Sequence, residues 1–107
     1  MGSNRRYADH YDRLMDARVA EVVARGHEPD TLTAEELDLT HEPLTRTPIP
    51  RPVRAWVRYG GVPLRVDAEL VAWTRAAAAI RWRLGDIQHR AWVWGPAVED
   101  RNDTGGR

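Results

Sequence analysis

The side chains with the most chemistry to offer are the five tryptophans, Trp56, Trp73, Trp82, Trp92 and Trp94, and the arginines that interleave with them. The trio Arg54, Trp56, Arg58 has a later counterpart in Arg90, Trp92, Trp94. Residues two apart on an extended strand share a face, so each trio makes one surface stripe. Aromatic rings set among guanidinium groups can stack bases and pair with phosphates. The same residue types are frequent anchors of protein–protein contacts. Arg54, Trp56, Arg58, Arg90, Trp92 and Trp94 are therefore the candidate binding residues. The plainer alternative is that a helix lies over this face and buries the rings.

Catalytic chemistry has much less to build on. Ser3 is the single serine and sits beside the chain start, a poor place for a nucleophile. There is no lysine and no cysteine, which removes Schiff-base, phosphate-loop and thiolate chemistry as well as disulfides. His27-Glu28-Pro29-Asp30 and His41-Glu42 offer nitrogen and oxygen donors, but their spacing matches no standard metal site. His10 near Asp12 and His89 beside Arg90 read as ordinary surface histidines. The expectation is a non-enzymatic protein with no cofactor and no metal.

Composition narrows the class further. The 107 residues have a formal net charge of zero, so no global field drives the chain onto nucleic acid or membrane. The halves differ: residues 1–50 hold six arginines against ten acids, and residues 51–107 hold ten against six. Exclusive use of arginine is what GC-rich coding produces. Arg5-Arg6 is followed by no apolar run, and no stretch approaches spanning length, so a soluble cytoplasmic setting is expected.

The elements that must position the candidate residues follow from hydrophobic period. In 53–59, Val53, Ala55, Val57 and Tyr59 alternate with Arg54, Trp56 and Arg58, which predicts a half-buried strand. Gly60-Gly61 is a two-residue hairpin signal. Strands are expected next at 62–66, 70–74, 78–84 and 87–94, the last two joined at Gly85-Asp86. Ala78, Ile80, Trp82 and Leu84 should face inward in the fourth, and Ala91 and Val93 in the fifth. Ala76–Ala79 has helical propensity, but the run is too short to override that context.

Before the strands, 4–25 carries an apolar stripe at helical spacing through Tyr7, Tyr11, Leu14, Val19 and Val22, with Gly26 as its stop. Its length would overhang a small barrel, so it could also join two copies of the chain. Thr33 and Glu36 form a capping box, with Leu32 and Leu37 as the matching staple, which predicts a short helix over 34–39. The segment 27–44 holds six acids and no arginine, and would be a solvated face or a strap packed near the basic strands. TRTPIPRP at 45–52 reads as an extended proline-rich linker, and 101–107 as a mobile tail.

MGSNRRYAD at the start, with RPVRAWVRYG, VAWT and RAWVW later, resembles a set of small uncharacterised proteins of actinobacteria and their mobile elements or phages. That resemblance implies a cytoplasmic setting and brings no catalytic or binding residues with it.

The expected architecture is α+β: a helical segment 1–44, with an N-terminal amphipathic helix and a short second helix, packed on a five-strand antiparallel SH3-like barrel over 53–100. The expected role is a protein-interaction or adaptor module that works through the Arg/Trp face or the N-terminal helix. Nucleic-acid binding is the alternative.

Overall fold

The computed structural model describes residues 28–101 together with Val19, Glu21 and Gly26. Five strands form one antiparallel sheet: β1 (Thr45–Tyr59), β2 (Val62–Trp73), β3 (Ala77–Leu84), β4 (Ile87–Trp94) and β5 (Val98–Asp100). Their order is β4-β3-β2-β1-β5. A four-residue helix α1 (Ala34–Leu37) precedes the sheet, and a 3-10 turn (Gly95–Ala97) joins β4 to β5.

Side-chain alternation builds the core. Val53, Ala55, Val57 and Tyr59 of β1 are each no more than 1% exposed. Leu64, Val66 and Ala68 of β2, Ile80, Trp82 and Leu84 of β3, and Ala91 of β4 complete the same buried cluster. Val93 and Val98 pack against its margin, as does the helical residue Val19. Burial of each large aliphatic side chain contributes on the order of 1.5–3 kcal/mol.

The turns follow from glycine. Gly60 and Gly61 both have positive φ (57° and 88°), as a type I′ hairpin requires. At the β3–β4 hairpin only Gly85 is positive (62°), the pattern of a turn with glycine at its first central position. The β2–β3 turn is held by buried Thr74, whose hydroxyl accepts from the backbone N–H of Ala77 at 3.1 Å.

The sheet curls. Trp56 and Arg58 of β1 line one groove together with Trp92 and Trp94 of β4, although β2 and β3 lie between those strands in the ladder. The gap is bridged by residues 30–32 rather than by strand pairing. The Asp30 N–H donates to the Arg58 carbonyl at 2.7 Å, and the Leu32 N–H donates to the Trp92 carbonyl at 3.0 Å. Asp30 also accepts from the hairpin amides of Gly60 and Gly61 at 3.2 and 3.4 Å. Thr31 Oγ1 accepts from the Trp92 N–H at 2.9 Å.

This architecture overturns the expected α+β fold. The described residues are mostly a five-stranded antiparallel sheet with one short helix and a 3-10 turn, not two helices packed on a closed barrel. The reason is that extended pairing reaches further along the chain than the hydrophobic alternation suggests. The proline-rich stretch 45–52, expected as a linker, is the first half of β1. Pro48 and Pro50 fall where the β1–β2 register shifts between Arg46 and Arg51, so no ladder bond needs their missing amides. Pro52 turns its backbone away from β2, toward Arg101, whose N–H donates to the Pro52 carbonyl.

Three further expectations shift. The separate strands at 62–66 and 70–74 are one strand, β2, continuous through an irregularity in its pairing with β3 between Leu70 and Ala72. The count of five is restored by β5, which pairs with β1 at Val53–Ala55. The short helix stops at Leu37 rather than 39, because Asp38 adopts the left-handed conformation (φ 51°, ψ 49°). Of the N-terminal helix expected over 4–25, Val19 and Glu21 are helical, and the rest lies outside the described residues, as does the tail beyond Arg101.

Candidate functional site

Four of the six candidate residues converge. Trp56, Arg58, Trp92 and Trp94 line a groove of about 290 Å³, with Asp30, Leu32 and Ala97 among its other walls. β1 supplies Trp56 and Arg58 from its outward face, because Val57 between them points into the core. β4 supplies Trp92 and Trp94 in the same way, on either side of Val93. The bridging segment 30–32 holds these two walls at a fixed separation through its hydrogen bonds to Arg58 and Trp92.

The rings differ in what they show to solvent. Trp56 is 42% exposed and Trp94 is 44% exposed. Trp92 is half-buried beside them. Trp82 belongs to the core, and Trp73 is half-buried at the end of β2. Ring faces left open next to Leu32 and Ala97 make an apolar receptacle with polar rims at Asp30 and Arg58.

Arg54 and Arg90 lie elsewhere. Arg54 Nε bonds Asp67 Oδ1 at 3.1 Å, its direct cross-strand partner on β2. Asp67 is shared with Arg101 at 3.3 Å. Arg65 pairs with Glu99, and its guanidinium lies 6.0 Å from the Trp56 ring centroid, within cation–π range. Arg81 meets Glu69 at 2.8 Å, and Arg75 meets Glu42 at 3.0 Å. These exposed pairs each contribute little stability. Their larger effect is on charge: of the three arginines expected on a free cationic face, Arg54 is neutralised, while Arg58 and Arg90 meet no carboxylate among the described residues.

Arg90 borders a second concavity of about 550 Å³, with Arg46, Arg81, Ala79, Thr31 and Trp92 also on its walls. Thr31 and Trp92 line both concavities, so the two adjoin. Arg46 and Arg90 form no ion pair with any carboxylate among the described residues.

Sequence reasoning missed the bridging segment, Arg46 and Arg81 as site residues. Nothing local in 30–32 announces that it seals a sheet edge. It also took His89 for a surface histidine. His89 Nδ1 lies 2.5 Å from the Tyr59 hydroxyl, which accepts from Trp82 Nε1 at 2.8 Å. Indole nitrogen only donates. The Tyr59 oxygen is therefore the acceptor toward Trp82, and the same hydroxyl is hydrogen-bonded to His89 Nδ1.

Among the described residues no group of three or more His, Asp or Glu side chains is placed to hold a metal ion. No helix among them is long and apolar enough to cross a membrane. Compared with known proteins, the chain matches no family model, no curated protein and no solved structure.

Proposed function

We propose that this chain is a small non-enzymatic binding module that receives a segment of a protein partner in the groove between β1 and β4. The carrying observation is that Trp56 and Trp94 remain 42% and 44% exposed while sharing one groove with Trp92 and Leu32. Large rings left open to water at a single concave place are what a partner's apolar side chain would cover. The alternative, a nucleic-acid module, draws on Arg58 in this groove and Arg90 in the adjoining concavity, neither of which meets a carboxylate among the described residues. It is less favoured, because Arg54, Arg65, Arg81 and Arg101 already meet carboxylates.

The test is retention of a partner by the immobilised chain, compared with the double variant Trp56→Ala, Trp92→Ala. The expected result is loss of retention in the variant with its far-ultraviolet circular dichroism unchanged. Retention by the wild type should fall only modestly between roughly 50 and 200 mM salt, where phosphate contacts would fall by orders of magnitude. Equal retention by both proteins would overturn the assignment.

A further inference from the structure

The β3–β4 ladder sets two arginines directly opposite one another: Arg81 pairs in register with Arg90. Like charges at such positions repel and destabilise the pair. The repulsion is sharper here, because this register position is a non-hydrogen-bonded one, where the strands lie closest. The two-residue hairpin at Gly85-Asp86 closes on Leu84 and Ile87, so the hydrogen-bonded pairs of β4 fall on its odd-numbered residues. Trp92, two residues on from Arg90, accordingly turns its N–H and carbonyl outward to Thr31 and Leu32.

Glu69 compensates one of the two cations, bonding Arg81 at 2.8 Å. Arg90 has no carboxylate among the described residues, and Arg46, on the same concavity, has none either. Ala72, Ala79 and Ala91 also line this concavity, and their methyl side chains take up little of its space. Two uncompensated guanidinium groups therefore face a hollow of about 550 Å³ that is walled on one side by the Trp92 ring. The same ring walls the apolar groove of the proposed function.

We infer that the partner segment is bipartite: an apolar side chain seats among Trp56, Trp92 and Trp94, and acidic residues next to it in the partner's sequence cross Trp92 to meet Arg90 and Arg46. This inference rests on the proposed function and specifies its ligand as an acidic peptide segment. Guanidinium groups hold carboxylates through paired N–H donors, and a bound carboxylate relieves the Arg81–Arg90 repulsion at the same time. Charge complementarity and the shared Trp92 wall together select this occupant. A nucleic-acid strand, which needs a run of phosphate contacts, would find Arg54, Arg65, Arg81 and Arg101 already meeting carboxylates.

The experiment selects peptides from a displayed random library on the immobilised full chain, with a fluorescent oligothymidylate as the competing probe. The expected yield is peptides with an aromatic or aliphatic anchor next to two or more Asp or Glu residues. Arg90→Gln and Arg46→Gln should each weaken such a peptide by about tenfold, the scale of one charged hydrogen bond. Its Asn/Gln counterpart should bind wild type and variants alike. The free Arg90→Gln chain should melt at or slightly above the wild-type temperature, since the substitution removes a like-charge pair. That readout also shows that the variant folds.

Selected peptides with no acidic preference, or acidic peptides indifferent to Arg46 and Arg90, would overturn this inference and leave the proposed function standing. A library that yields nothing would count against both, as would oligothymidylate binding that displaces the peptides.

Discussion

Trp82 Nε1–H donates to the Tyr59 hydroxyl at 2.8 Å inside the core, and the two rings meet edge to face with centroids 6.4 Å apart. His89 completes the cluster, its ring centroid 5.5 Å from that of Tyr59. Tyr59 is fully buried and Trp82 is 3% exposed, so water is a poor substitute partner for either. Tyr59→Phe keeps the ring and removes the oxygen, leaving the indole N–H unsatisfied. The expected loss is about 1–3 kcal/mol in a denaturant titration. A loss below about 0.5 kcal/mol would show that the indole finds another acceptor.

The same hydroxyl makes the fold sensitive to alkali. Burial pushes the Tyr59 pKa from 10.0 up to about 12; the Trp82 hydrogen bond opposes the shift and the charge of Glu28 adds to it. A raised folded-state pKa means that the neutral form is favoured by folding. The contribution is fully present below about pH 10, the unfolded value, and is lost as pH rises toward about 12. Stability should therefore fall by on the order of 2 kcal/mol across that window, and Tyr59→Phe should flatten the profile. A variant whose stability falls as steeply as the wild type would place the sensitivity on another group.

Asp30 ties the bridging segment to the first hairpin by its backbone N–H and both carboxylate oxygens. Asp30→Ala should lower stability by about 1 kcal/mol. Hydrogen exchange should accelerate first at Gly60 and Gly61, whose acceptors are lost. Unchanged protection at those two amides would remove the carboxylate from this role.

Thr33 caps α1: its hydroxyl accepts from the Glu36 N–H at 3.1 Å, and the Glu36 side chain accepts from the Thr33 N–H at 2.9 Å. Thr33→Ala should cost about 1 kcal/mol. Because α1 is only four residues long and buries Leu37 alone, the effect should be concentrated in the exchange rates of Glu36 and Leu37. Equal rates in the variant would mean that the helix is held from outside.

Acrylamide quenching should sort the five indoles. Trp56 and Trp94 should be readily quenched, and Trp82 should be protected. Trp56→Phe combined with Trp94→Phe should remove most of the quenchable emission. Emission from the wild type that resists acrylamide throughout would mean that the groove is covered in solution, and the binding assignment would fail.

Much of the sheet is legible in the chain, because period-two burial is a local property. Val53, Ala55, Val57 and Tyr59, then Ala78, Ile80, Trp82 and Leu84, could be placed inward from alternation alone, and each is buried. Gly60-Gly61 and Gly85-Asp86 could be placed as turns because positive φ is cheap only for glycine. The capping box at Thr33 and Glu36 was equally readable, being contained within four residues. Ala77–Ala79 entered a strand against their helical propensity, as neighbouring strands require.

What the sequence by itself determined, then, is which side of its own strand each residue takes. What only the tertiary structure decided is which residue of another strand stands beside it. Alternation put Arg54, Trp56 and Arg58 on one stripe, yet Asp67 claimed Arg54 while Trp56 and Arg58 turned toward β4. It put Arg90 with Trp92 and Trp94, but Arg90 shares its concavity with Trp92 and Arg46, while Trp94 lines the other one. The irregularity between Leu70 and Ala72 is set by pairing with β3, so it left no trace in the local pattern. Residues 30–32 bridge the gap only because the curl brings the outward-turned backbones of Arg58 and Trp92 within their reach. Hydrogen-bond partners distant in sequence are chosen by the shape of the curled sheet, and that shape is a property of all five strands together.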